Sequence, residues 1–261
     1  MSIRYQKDAR NVVTVTLDRA DKHNAFDDGV IAELQSAFEQ ARDDKTVRAL
    51  VLAAEGKSFS AGADLGWMQR MASYSLAQNR ADADALANML HTLNTLPFPT
   101  LARVQGAAFG GAVGLVSCCD LAIAGPRASF CLSEVKIGLI PATISPYVVA
   151  AMGERAARRY FLTAERFDAS TALALGLVSV VEAEDKLDTC LNDLISQLLN
   201  NSPAALSAAK QLVFDVANRP VTQSLIDDTS ARIAAIRVSE QGQEGLQAFL
   251  QKRSPRWQTA D

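Results

Sequence analysis

Glu134 stands in the mostly apolar stretch Phe130-Cys131-Leu132-Ser133-Glu134-Val135-Lys136-Ile137-Gly138. A carboxyl in such surroundings is pushed toward its neutral form, which suits it to move a proton near neutral pH. An ion pair with Lys136, or a solvent-facing position, fits the same residues. Two further segments carry small residues between a strand-like run and a helix-like run: Ser58-Phe59-Ser60-Ala61-Gly62-Ala63-Asp64-Leu65, and Val104 to Gly114 (VQGAAFGGAVG). A strand-to-helix turn of small residues exposes backbone N–H groups at a positive helix end, where they can hold a developing oxyanion. A tight turn capped by Asp64, and glycines placed for close helix packing, are the plainer readings of the two segments. The second segment matches neither GxGxxG, since Ala108 takes the second glycine position counted from Gly106, nor a P-loop, since no GK[ST] follows. His23 and His91 accompany no GxSxG motif and no metal-ligand spacing, so neither a serine-hydrolase triad nor a zinc site is expected.

These segments need a frame. Asn11 to Leu17 alternates with β-branched residues and predicts a strand. Val30, Leu34, Phe38 and Ala41 recur at helical spacing and predict a helix over 27–42, with Asp27 and Asp28 in its first turn. Val47 to Ala53 has the length and near-continuous apolar character of a strand covered on both faces. Helix is predicted over 64–96 with a break near Ser73 to Ser75 and a stop at Pro97 and Pro99. Strands follow at Thr100 to Val104 and Leu121 to Ala124, separated by a glycine-rich segment passing into a small-residue helix that ends near Cys119. Ser202-Pro203 starts the first of two or three amphipathic helices reaching about Leu250. The pattern predicts an α/β core over 1–195 and a helical region over 196–261.

Composition narrows the partners. The net charge of −3 offers no strong field for nucleic acid or an anionic membrane. The four cysteines, Cys118, Cys119, Cys131 and Cys190, form no CxxC pair and read as buried thiols of a reducing compartment. The first residues lack the apolar core of a secretory signal, and the least polar stretch, Val104 to Ala124, is interrupted by glycines, Gln105, Ser117 and Asp120. A cytoplasmic location is expected.

Taken in order, Leu17-Asp18-Arg19 with Asn24-Ala25-Phe26, then Phe59 to Asp64, Gly106 to Gly114, Cys119-Asp120-Leu121-Ala122, Glu134, and Phe249 to Arg253 before Pro255 and Trp257, resemble the crotonase family of enoyl-CoA hydratases and isomerases. The resemblance implies a spiral of ββα units with a C-terminal helical trimerisation region, assembled as a homotrimer or a dimer of trimers. It implies a coenzyme A thioester as substrate and no separate cofactor or metal. Matched by residue, it puts the catalytic carboxyl on Glu134 and the oxyanion donors on the N–H groups of Ala61 and Gly111. Ala25, Ala63, Asp64 and Leu65 are expected along the CoA. Arg19, Lys22 and, from a neighbouring subunit, Lys252 are expected at its phosphates, with Phe249 as an apolar contact.

One position departs from the pattern. Hydratases of the family carry a second glutamate three residues after the glycine that Gly111 matches, and here that residue is Gly114. Either Glu134 makes both proton transfers, or another group helps; Thr143, Ser145 and Tyr147 lie close by in sequence. A single glutamate also resembles the enoyl-CoA isomerases, and a lost carboxylate would suit a non-catalytic acyl-CoA binder. The segment from Leu139 to Val149 with Glu154 to Tyr160 resembles bacterial 3-methylglutaconyl-CoA hydratases of leucine breakdown and their relatives in acyclic terpene breakdown. That implies water addition to a branched or carboxylated 2-enoyl thioester. RNA binding, a second activity in one branch of the family, would rest on Arg155, Arg158 and Arg159, against the net negative charge.

Overall fold

The computed structural model describes residues 2–258. Ile3–Lys7 (β1) and Val12–Leu17 (β2) pair antiparallel, with Ile3 opposite Leu17 and Lys7 opposite Val13. The sheet then continues in parallel through Ala49–Ala54 (β3), Thr100–Val104 (β4), Leu121–Ala124 (β6) and Val180–Val181 (β9), in the order β1-β2-β3-β4-β6-β9. A second sheet is small: Ala107–Phe109 (β5) runs parallel to Ser129–Cys131 (β7), which pairs antiparallel with Phe167–Asp168 (β8). Parallel strands need crossovers, and helices supply them. These are Asp28–Asp43 (α1), Leu65–Met71 (α2), Leu76–Asn94 (α3), Gly111–Cys118 (α4), Ser145–Met152 (α5), Glu154–Thr163 (α6) and Ala169–Ala174 (α7); Leu187–Leu199 (α8) follows the last strand. This is the α/β spiral that the sequence predicts.

The chain divides into two compact units. The first takes in residues up to Leu96 and Thr100–Asn192; the second takes in Pro97–Pro99 and the chain from Asp193. In the first, Leu50, Leu52 and Leu101 of the central strands, Leu34 and Phe38 of α1, and Leu90 and Leu93 of α3 are fully buried. The continuous apolar character of β3 follows from its place between β2 and β4, with both faces covered. Burying such side chains is the main favourable term in folding.

Local chemistry sets the ends. The strand begins at Val12 because Asn11 adopts a left-handed φ of 61° in a turn where Asp8 Oδ1 accepts the N–H groups of Arg10 and Val12. Asp27 lies outside α1 as its cap, accepting the Val30 N–H at 3.0 Å. The predicted break falls between α2 and α3, where Ser75 and Gln78 form a capping box. Five strands escape the sequence patterns: β1, whose IRYQK is largely polar, β5, three residues inside the glycine-rich segment, and the short β7, β8 and β9.

In the second unit, Ser202 caps Pro203–Val216 (α9) through the Ala205 N–H, with Pro203 in the first turn. Gln223–Val238 (α10) and Glu240–Leu250 (α11) follow, capped by Thr222 and Ser239. Buried Glu244 accepts two bonds from Arg253, at 2.6 and 3.0 Å, and one from the Arg256 amide. No described helix is long and apolar enough to cross a membrane.

Leu52→Ala empties a fully buried site in the middle of the sheet, so we expect a loss of about 2–5 kcal/mol in urea or thermal unfolding.

Candidate active site

The two small-residue loops meet through backbone hydrogen bonds. The Ser60 N–H donates to the Ala107 carbonyl at 2.9 Å, and the Phe109 N–H donates to the Ser60 carbonyl at 3.0 Å. A further step ties the second loop to the segment before Glu134: the Gly110 N–H donates to the Cys131 carbonyl at 2.8 Å, continuing the β5–β7 pairing. Gly62 sits at φ +91°, and a Cβ there would lie 2.9 Å from the Phe109 carbonyl oxygen. Only glycine gives both that backbone conformation and that approach.

Two buried amides hold the turn that leads into the first loop. Asn24, 1% exposed, donates through Nδ2 to the carbonyls of Glu55 (2.8 Å) and Ser58 (2.9 Å), while its Oδ1 accepts the Arg19 N–H at 2.9 Å. Gln105 donates through Nε2 to the carbonyls of Ala54, Gly56 and Ser58 at 2.8 to 3.2 Å. Buried Ser60 accepts the Gly62 N–H on its hydroxyl at 3.1 Å. The sequence singles out neither Gln105 nor Ser60 for this task, and Asn24 only as part of a motif. Their work is visible only once the chain is folded.

The loop geometry corrects one expectation about the donors. The Ala61 N–H, expected in the oxyanion site, donates to the His23 carbonyl at 2.9 Å and so is already engaged. Two residues on, Phe26 and Ala63 form a parallel bridge in which the Phe26 N–H donates to the Gly62 carbonyl and the Asp64 N–H to the Phe26 carbonyl. The intervening Ala63 N–H has no acceptor among the described residues. On the second loop the Gly111 N–H is one of the first-turn donors of α4 and likewise has none. Its Cα lies against the Phe26 ring, since a Cβ there would stand 2.5 Å from Phe26 Cζ.

Glu134 opens a short 3-10 turn directly after the second sheet. Its Oε1 would lie 3.3 Å from a Cβ on Gly110, so the carboxyl stands at the foot of α4. Its Oε2 is buried without a hydrogen-bond partner. Burial raises the Glu134 pKa above the usual carboxylate range, and its own amide opposes this only in part. Lys136 makes no ion pair with it among the described residues. The bend over 58–65, β5 with α4, and the turn at 134 thus bring together one half-buried carboxyl and two unclaimed N–H donors.

The basic residues stand differently. Arg19 is only 15% exposed; its guanidinium donates to the Ala25 carbonyl at 3.2 Å and to Asp27 at 3.1 Å, and lies 3.5 Å from Asp64. It joins the cap of α1 to the cap of α2, because Asp64 accepts the N–H groups of Gly66 and Trp67. Lys22 Nζ is 3.7 Å from the same Asp64. Two cations therefore face two carboxylates, and both acids are held in their charged form by these contacts and caps. An incoming phosphate would compete with Asp27 and Asp64 for Arg19. Ala25 is buried and Leu65 is 78% exposed on α2. In the second unit Phe249 is 82% exposed at the end of α11, and Lys252 follows in a left-handed turn at φ 55°.

Residues 7–260 match the enoyl-CoA hydratase/isomerase family. The chain superposes on the crystal structure of an enoyl-CoA hydratase from Shewanella pealeana with a TM-score of 0.96 and 51% identity, covering 98% of this chain and 96% of that one. It superposes on Pseudomonas aeruginosa AtuE with a TM-score of 0.93 and 35% identity, covering 98% and 99%. In sequence it is 30% identical over 247 residues to the 2,3-dehydroadipyl-CoA hydratase of Escherichia coli, 94% of each chain. The chain belongs to the enoyl-CoA hydratase/isomerase family and has the crotonase fold.

Two outcomes are expected. Asn24→Ala removes the side-chain donor to the Glu55 carbonyl and one of the two to the Ser58 carbonyl, and should lower stability by about 1–3 kcal/mol in denaturant titration. Glu134→Gln removes a carboxyl whose folded pKa lies above its unfolded one. Such a group lowers stability as pH rises from the unfolded toward the folded pKa. The variant should therefore melt above the parent at pH 7, with the difference vanishing below about pH 4.

Proposed function

We propose that this chain is a hydro-lyase that adds water reversibly across the C2=C3 bond of a 2-enoyl-CoA thioester. The observation that carries the proposal is the half-buried Glu134 carboxyl, whose Oε2 is buried without a partner, on a segment tied to the pair of loops that carry the unclaimed N–H groups of Ala63 and Gly111. The two donors receive the thioester carbonyl oxygen, which gains negative charge as water attacks C3. Donors fixed before the reaction bind that enolate more tightly than the neutral ester, and this difference lowers the barrier. Glu134, ionised, takes a proton from water; the elevated pKa then favours its return to C2. The substrate brings its own coenzyme A, and the chemistry calls for no metal or redox cofactor.

The acyl group we favour is branched or carboxylated, with 3-methylglutaconyl-CoA of leucine breakdown as the example. The likeness of the 139–160 segment supports this, as does a relative named for 2,3-dehydroadipyl-CoA, whose acyl chain ends in a carboxylate. A cation for such a carboxylate is available: Lys136 and Arg166 both act on the Cys131 thiol close to Glu134, and neither is in an ion pair among the described residues. For assembly we favour a homotrimer or a dimer of trimers. Exposed Val213, Phe214, Ile233, Leu246, Phe249 and Leu250 of the second unit supply apolar surface for it, and Phe249 and Lys252 would then reach a neighbour's CoA.

A second reading, enoyl-CoA isomerisation with one shuttling base, is favoured by Gly114. Ultraviolet absorbance of the conjugated thioester separates the two. Loss of absorbance with 3-methylglutaconyl-CoA or crotonyl-CoA, reduced about 10³-fold in Glu134→Gln, is the expected result. Unchanged 2-enoyl esters together with conversion of a 3-enoyl ester would replace the hydratase by the isomerase.

A further inference from the structure

Water addition needs a group that takes a proton from water and a group that gives one to C2. On the hydratase reading, on which this inference rests, the structure bears on whether these are one group or two. A side chain on the first turn of α4, one turn beyond the Gly111 donor, would project from position 114. That position is closed: a Cβ on Gly114 would lie 2.2 Å from Ile144 Cγ2, 2.8 Å from Ile144 Cβ and 3.5 Å from Leu90 Cδ2. Ile144 is fully buried, and its carbonyl accepts the N–H groups of Tyr147 and Val148, both at 3.1 Å, which fixes its backbone at the start of α5 and leaves its Cβ in place against position 114.

Two other candidates, Asp64 and Ser145, are engaged, and Tyr147 is left to the test below. Asp64 caps α2 and pairs with Arg19 and Lys22. Ser145 donates its hydroxyl to the Ala142 carbonyl at 2.7 Å. The elevated pKa of Glu134 comes chiefly from burial, opposed in part by its own amide.

We propose that Gly114 and Ile144 form a matched packing pair that shuts the side of the site where a second acid–base side chain would enter, so that Glu134 carries both proton transfers. The oxygen of water bonds to C3 while its proton passes to the Glu134 carboxylate. The C2=C3 electron pair moves toward the thioester oxygen held by Ala63 and Gly111. The enolate then collapses, C2 takes the proton from the Glu134 carboxyl, and the carboxylate is regenerated. Atoms balance as one H and one OH added to the substrate, both handled from the Glu134 side.

Five variants test this: Gly114→Ala, Ile144→Gly, the two combined, Tyr147→Phe and Glu134→Gln. Each is read by melting temperature, hydration rate and exchange of C2 protons of butyryl-CoA in D2O. Gly114→Ala should melt about 4–10 °C below the parent or fail to fold. The double variant should lie above the sum of the two single effects, with Ile144→Gly measured alone. Tyr147→Phe should hydrate within about threefold of the parent, and Glu134→Gln should lose hydration and C2 exchange together by about 10³-fold. The proposal is overturned if Gly114→Ala melts with the parent, or if Glu134→Gln retains parental C2 exchange. It is also overturned if Tyr147→Phe loses hydration by more than about 100-fold while keeping exchange. A parent that exchanges C2 protons but hydrates no ester removes the hydratase reading instead, and leaves the packing pair to be judged by melting alone.

Discussion

The site hangs on a short ladder of backbone hydrogen bonds. Ser60 pairs with Ala107 and Phe109, and Gly110 pairs with Cys131. Through these bonds the first loop is fixed to β5, and β5 to the strand that runs into Glu134. Neither loop alone makes an oxyanion site; each presents one useful N–H. Their separation, and the distance of both from the carboxyl, is set by the ladder. The amides of Asn24 and Gln105 support it from behind by satisfying the carbonyls of the turn before Ser60. Preorganised donors can stabilise developing charge because the protein need not reorganise when the charge forms.

Charge around this ladder is arranged so that one carboxyl differs from its neighbours. Asp27 and Asp64 cap helices and face Arg19, contacts that keep them ionised. Glu134 has no such partner, and burial acts on it almost alone. Carboxyl groups around one site are thus tuned in opposite directions. The difference is one of hydrogen bonds and solvent, not of sequence neighbours, since Lys136 is two residues from Glu134 and does not neutralise it.

The likeness to hydratases leads one to expect a second glutamate at 114, and this chain has a glycine there. The structure gives that glycine a packing reason. Ile144, brought in by the start of α5, occupies the volume that any side chain at 114 would need. The absence at 114 and the bulk at 144 are two sides of one contact between segments thirty residues apart.

The sequence by itself determined the central strands, the α1 periodicity, the break before Ser75 and the Ser202-Pro203 helix start. These depend on local alternation, helical spacing and capping, which the chain order displays directly. It also displayed Glu134 and the two small-residue loops, and in their order the family. It did not display β5, whose three residues become a strand only by pairing with β7, nor β1, whose polar residues are recruited by β2. It placed a donor on Ala61, whose N–H the fold turns toward His23, and it offered Arg19 to phosphates although the fold sets it between two carboxylates. Which N–H remains unclaimed, which charge is already paired and which glycine lacks room are properties of contacts between distant segments. Only the tertiary structure decides them, because a hydrogen-bond direction or an occupied volume has no counterpart in residue type or spacing.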